Sequence, residues 1–246
     1  SPASFVLFIG HSRSGHSLVG SLLDAHPQAI ISHELHALRL LHNGASYEEI
    51  VRYIKYNSFF FEYFGRSYTG YDYRVPGYNQ VTYDNLMIAG DKKANRTSRY
   101  LRRHPELLNS LIEEWPVPVR FVHVIRNPLD NIATKTLRTR KGLDESTRNY
   151  FANAAYIHRL KEWDPERVID LYLDDLIAKP EETLASLLGE LGLTADPEYL
   201  RACGEVVADR PSETRYRVHW EPSLRDQVFQ GMEDYPFLAR YRESPL

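Results

Sequence analysis

Residues Phe5 to Ile9 form an unbroken apolar run that passes directly into Gly10-His-Ser-Arg-Ser-Gly15-His16-Ser17, a loop with glycines five positions apart. A run of strand length without polar alternation suits a strand buried on both faces. Beyond the loop, Leu18 with Leu22 and Val19 with Leu23 repeat at helical spacing until Pro27, so a helix follows and proline stops it. Such a loop can aim successive backbone N–H groups at one anion, with the positive end of a helix behind it. Arg13 adds a fixed charge in mid-loop.

The same succession recurs. Alternating apolar residues from Val117 to Ile125 lead into Arg126-Asn127-Pro128, Val168 to Leu173 reads as a third strand, and Pro180-Glu-Glu opens a helix carrying Leu184, Leu187, Leu188 and Leu191 before Gly192 closes it. Strands alternating with helices predict an α/β fold: a single P-loop-like domain spanning 1–246, with a central parallel sheet, helices on both faces and ligands at the carboxyl ends of the strands. A chain of 246 residues suits one such domain.

Bulk properties exclude several classes. Thirty Lys and Arg against thirty-three Asp and Glu give a net charge of -3, which argues against nucleic acid as partner and makes any anion site a local one. No apolar run approaches the roughly 18 residues of a membrane helix, so no transmembrane segment is expected. Cys203 is the only cysteine, which excludes an internal disulfide and a multi-cysteine metal site. No signal peptide is legible at the amino end, and the expected location is cytoplasmic.

The loop has the glycine spacing of G-x-x-x-x-G-K-[ST], but His16 stands at the lysine position, which weakens a kinase reading. Its alternative is a plain connecting turn. Arg126, at the end of a buried strand and just before a proline-marked helix, suits bidentate binding of phosphate, and Thr134 lies eight residues on. The alternative there is a capping arginine paired with Asp130. Ser32-His33-Glu34-Leu35-His36 follows the first helix closely enough to reach the same mouth of the sheet and offers three candidate bases: Glu34, His33 and His36.

One segment departs from the pattern. Twelve of the chain's 27 Tyr and Phe residues fall between Tyr53 and Tyr83, interleaved with Gly65, Gly70, Pro76 and Gly77. That composition predicts a shaped loop rather than a long helix, an insertion at about 53–83 that walls or covers an acceptor; the alternative is a second small core.

Gly10-His-Ser-Arg-Ser-Gly-His-Ser-Leu-Val-Gly-Ser-Leu-Leu-Asp-Ala-His-Pro27 resembles the phosphosulfate loop of sulfotransferases that use 3′-phosphoadenosine-5′-phosphosulfate (PAPS), above all the carbohydrate and bacterial branches with Arg-Ser-Gly and then Leu-Leu-Asp-x-His-Pro. The resemblance implies that Arg13, Ser14, Gly15, His16 and Ser17 hold the 5′-phosphosulfate, His16 replacing the family's usual Thr. Arg126 with Thr134 is similar to its 3′-phosphate motif, a strand, Arg-x-Pro, and a Ser eight residues on. Glu34 matches the base best, with His36 as rival, and Lys92 in Gly90-Asp-Lys-Lys-Ala-Asn95 resembles a lysine that binds the transferring group beside Arg13. Arg215 and Arg217 resemble a basic carboxyl-terminal loop over the nucleotide, the alternative being that Trp220 packs and the arginines are solvated. Leu171 to Leu184 resembles the family's Tyr-Glu-Asp-Leu…Pro stretch. The implied activity moves a sulfuryl group from PAPS to a hydroxyl of a carbohydrate, glycan or lipid-like small molecule, leaving PAP, without a metal. Two other readings stay open: a P-loop kinase or NTPase, which needs a lysine and an acidic Mg²⁺ ligand, and an inactive PAP-binding module.

Overall fold

A computed structural model describes residues 2–65, 72–78, 85–194 and 196–246. Five strands, β1 (Ser4–Gly10), β2 (Ala29–His33), β3 (Ile88–Lys92), β4 (Val119–Ile125) and β5 (Val168–Tyr172), form one parallel sheet in the order β2-β3-β1-β4-β5. The apolar run at the amino end becomes β1, the central strand, paired with β3 on one side and β4 on the other. From β1 the chain first crosses to one edge of the sheet and later to the other half. This reversal opens a crevice at the carboxyl end of β1.

Side-chain alternation divides the core into two layers. Phe5, Leu7 and Ile9 join Ile30, Phe121, Ile54 and Ile157 on one face, while Val6 and Phe8 join Leu22, Leu23, Val122, Leu187 and Leu188 on the other. The helices α1 (His16–Asp24), α2 (Ala37–His42), α3 (Tyr47–Phe60), α4 (Asn95–Arg103), α5 (Pro128–Thr139) and α6 (Leu143–Trp163) are followed, after β5, by α7 (Leu173–Ala178), α8 (Pro180–Glu190), α9 (Pro197–Gly204) and α10 (Pro222–Glu233). Helices α3 and α6 cover the first face, and α1, α8 and α9 the second. Among the described residues no helix is long and apolar enough to cross a membrane.

Two strands escaped the sequence reading. β2 follows Pro27 in a stretch assigned to no element, and β3, Ile-Ala-Gly-Asp-Lys, ends in two charges that look like a loop. Asp91 is nevertheless buried, because its carboxylate accepts from the Ser32 hydroxyl (2.9 Å) and from the backbone N–H groups of Leu35 (3.0 Å) and Ala37 (2.8 Å). Burial pushes its pKa up while those donors oppose the rise.

The aromatic segment is corrected in part. Tyr53, Tyr56, Phe59 and Phe60 lie on α3, not in a loop, and a π-helical turn, Phe61–Gly65, continues it. A full capping box sets the start of α3, with Ser46 accepting from Glu49 N–H and Glu49 accepting from Ser46 N–H. Its apolar stripe, Ile50, Val51 and Ile54, is buried with Tyr47, while Tyr53, Tyr56, Phe59 and Phe60 are exposed. Tyr68, Tyr71, Tyr83 and Gly70 lie outside the described residues.

Candidate active site

The loop after β1 carries its strain at two positions. Arg13 (φ 72°) and Gly15 (φ 97°) are left-handed, so glycine at position 15 is favoured on conformational grounds. Gly15 caps α1 without a side-chain bond, leaving the helix's first N–H groups for an anion. The loop is fixed from beneath: Asn131 Nδ2 donates to Ser12 O (3.0 Å) and Ser14 Oγ (2.9 Å), and Asn153 Nδ2 donates to Gly10 O (2.7 Å).

The cleft over this loop measures about 640 Å³ and is lined by Arg13, Gly15, His16, Ser17, Glu34, Tyr73, Lys92, Lys93, Arg126, Thr134, Leu173 and Arg210, among others. Arg13 on the glycine loop after β1, Lys92 and Lys93 at the end of β3 and Arg126 after β4 therefore share one space. On one flank, Lys92 Nζ donates to Ser17 Oγ (3.1 Å) and Glu34 Oε1 (3.3 Å), and Lys93 Nζ reaches Glu34 Oε2 (3.2 Å). The Lys92 stem crosses α1 at Gly20, where a Cβ would lie 2.9 Å from Lys92 Cγ. Burial lowers the Lys92 pKa and Glu34 opposes the shift. For Glu34, burial raises the carboxyl, but Lys92 and Lys93 outweigh it and hold the pKa at about 2. Glu34 (φ 62°) and Ala94 (φ 30°) are strained beside this pair, as residues at functional sites often are.

On the other flank, Arg126 Nη1 donates to Arg13 O (3.0 Å) and Thr134 Oγ1 (3.2 Å), and Nη2 donates to Ser212 O (2.7 Å) and Thr214 Oγ1 (3.3 Å). Asp130 does not pair with Arg126. It takes Arg215 instead, at 2.6 Å, and accepts from Arg215 N–H at 2.8 Å. Among the described residues no carboxylate lies within ion-pair distance of Arg126.

The sequence candidates separate accordingly. Of the three possible bases only Glu34 lines the cleft. His33 stacks on Phe61 at 3.9 Å, and His36 stands edge-on to Tyr100 at 5.0 Å. The His16 ring turns under the loop, where Nε2–H donates to Ile9 O (3.2 Å), and burial drives its pKa down to about 3. The Ser14 hydroxyl is likewise taken by Asn131.

Arg215 and Arg217, expected over the nucleotide, do not line the cleft. Arg215 is buried in its pair with Asp130, Trp220 Nε1 donates to Arg215 O (3.1 Å), and the exposed Arg217 does not line the cleft. Arg210 and Ser212, a few residues earlier, occupy that place. No periodic or motif signal marks them, because a loop residue enters a cleft through tertiary docking alone. Of the aromatic segment's described rings, Tyr73 lines the cleft.

A doubly wound parallel sheet with a glycine loop at the end of its central strand and cations on both flanks defines a P-loop-like α/β protein. The sequence profile of the sulfotransferase family matches residues 6–197, and the chain belongs to that family. No curated protein sequence matches it. Among solved structures it is similar to a sulfotransferase from Alicyclobacillus acidocaldarius (15% identity, 100% of this chain and 97% of that one, TM-score 0.53). It is similar also to the sulfotransferase domain of the Synechococcus PCC 7002 olefin synthase (17%, 93% and 88%, 0.53). A mouse sulfotransferase complexed with PAP aligns at 9% identity over 100% of this chain and 90% of that one, with TM-score 0.51. At these identities the likenesses establish the fold.

Proposed function

We propose that this chain transfers a sulfuryl group from PAPS to a hydroxyl of a carbohydrate or lipid-like small molecule, and that the cleft over the Gly10–Ser17 loop is where it does so. The observation that carries the reading is the pair of cationic flanks on one loop. Arg126 with Thr134 suits a terminal phosphate, while Lys92 with Ser17 stands at the start of α1, where a second anionic group meets the helix N–H groups. A donor with a 3′-phosphate and a 5′-phosphosulfate needs both. The mouse relative's complex with PAP supports the same donor class.

In the reaction, the acceptor oxygen attacks sulfur as the bond from sulfur to the 5′-phosphate oxygen breaks, and PAP leaves. The acceptor proton passes to Glu34. The loop N–H groups, Arg13 and Lys92 hold the donor in line and neutralise the charge that grows on the departing phosphate. Held by two lysines, Glu34 is a weak base; each lysine that turns towards the donor's oxygens raises its proton affinity. Tyr73 and the outward rings of α3 suit a sugar face or an apolar chain. His16 counts against a kinase, since burial keeps it uncharged where a kinase has its lysine.

Thermal shift with PAP, with ATP plus Mg²⁺, and without ligand tests the donor, because a ligand that binds only the folded chain raises its melting temperature. Stabilisation by PAP, followed by transfer of label from radiolabelled PAPS to a hydroxyl acceptor, is expected. Stabilisation by ATP plus Mg²⁺ and not by PAP overturns the reading, and binding of PAP without transfer to any of a panel of sugars and lipid alcohols makes the chain a binding module.

A further inference from the structure

On the α2–α4 side of the sheet, away from the cleft lining, His42, His104 and Glu106 each offer a ligand atom within 4.8 Å of the others. We propose that these three side chains form a binding site for a zinc-class divalent metal ion, with water completing a tetrahedron.

The backbone builds this cluster. His42 is the last residue of α2, and His104 caps the carboxyl end of α4. Pro105 forces the preceding residue out of helical geometry, and His104 takes φ -132°, ψ 68°. That turn brings Glu106 back to its neighbour, where Glu106 Oε1 meets His104 Nδ1 at 3.2 Å. The two imidazoles pack with centroids 4.4 Å apart. Tyr100 Oη holds His42 Nδ1 at 2.8 Å, which leaves Nε2 for a ligand, the outer-shell arrangement metal-bound histidines commonly use. The negative end of α4 adds a favourable field for a cation.

Donor chemistry selects the ion. Two imidazole nitrogens and one carboxylate suit zinc, cobalt or nickel and disfavour magnesium and calcium, which prefer all-oxygen shells. His42 and Glu106 are exposed and His104 half-buried, so the side chains can close the last distance without moving the core, and ligation replaces the His104–Glu106 hydrogen bond. α2 begins just after Glu34–His36, and α4 just after Lys92–Ala94. A bound ion therefore clasps the far ends of the two helices whose near ends carry the Glu34–Lys92 pair.

The test uses the tag-free full chain freed of metal with chelator. Titration with Co²⁺ should give one equivalent of visible absorption of tetrahedral intensity, displaced by Zn²⁺, and Zn²⁺ should raise the melting temperature. Tyr100→Phe, which removes only the hydroxyl partner, should weaken binding about 10-fold. His42→Ala, His104→Ala and Glu106→Gln should each weaken it more, while His219→Ala, in the separate exposed pair with Glu221, should change nothing. Should His104→Ala not fold, Glu106→Gln on its exposed side chain decides the matter. Absence of Co²⁺ absorption in the unaltered chain, binding that survives His42→Ala and Glu106→Gln, or binding lost with His219→Ala overturns the assignment.

Discussion

Replacing His16 by Gln should flatten the acid dependence of stability. Glutamine keeps an amide N–H that can reach Ile9 O, as the imidazole Nε2–H does, but it does not titrate. In the folded chain burial holds His16 at about 3, whereas an unfolded histidine titrates near 6.5. The unfolded state therefore takes up a proton that the folded state refuses. The stability this neutral ring contributes is fully present above roughly pH 6.5 and is lost as pH falls toward 3. For one such group the loss is on the order of 1 kcal/mol near pH 5.5 and roughly 3 kcal/mol near pH 4.5. His11 and His123, buried near the same loop and also shifted down, steepen the slope in the same window and remain in the variant. Urea unfolding at several pH values between 4.5 and 8 gives the slope for both proteins. The change of side chain shifts the whole curve by a constant, so the readout is the difference in slope, about one proton below pH 6. Parallel curves for His16→Gln and the unaltered chain would refute the assignment of a neutral, buried His16.

Three further outcomes follow from the site. Arg126→Ala should weaken PAP binding by about 1.5 to 3 kcal/mol, the scale of a charge-assisted bond, and ATP binding by much less; equal losses in calorimetry would place the 3′-phosphate elsewhere. Glu34→Gln should lower turnover by about 10²-fold or more with PAP affinity little changed, and near-normal turnover would exclude Glu34 as base. Arg215→Met strands the Asp130 carboxylate, so stability should fall by about 3 to 5 kcal/mol while PAP affinity in the folded fraction holds; lost affinity at intact stability would return Arg215 to the nucleotide site.

Much of the frame was legible because it rests on local pattern. The strand, glycine loop and helix at the amino end follow from a buried run and helical spacing, and Arg126 and Thr134 fall together because eight residues carry the chain from a strand end to the second turn of α5. Glu34 and Lys92 were each legible as candidates, but not their contact, which depends on β2 and β3 pairing in register. Other misses share a physical origin. β3 hides because its last two residues are charged, and charge in a strand becomes tolerable only when tertiary partners exist, as Ser32 and the backbone at 35–37 provide for Asp91. The pairing of Asp130 with Arg215 spans 85 positions. No local rule reports it, yet it leaves Arg126 on the cleft.

Asp91 and Lys92 are consecutive on β3, so their side chains leave opposite faces of the sheet. One anchors the turn before α2, the other enters the cleft. Moving the strand by a single residue turns each side chain to the other face: one direction places the Asp91 carboxylate on the cleft wall, the other places Lys92 in a buried nest of N–H donors. The chain is thus frame-sensitive at this point: one residue inserted between Ile88 and Asp91 would reverse the sign of the cleft wall, whereas one residue deleted there would bring Lys93 to the wall and put Lys92 among the buried donors. Insertions at the exposed Gly44 turn between α2 and α3, where a Cβ meets nothing within 4 Å, would leave that sign untouched.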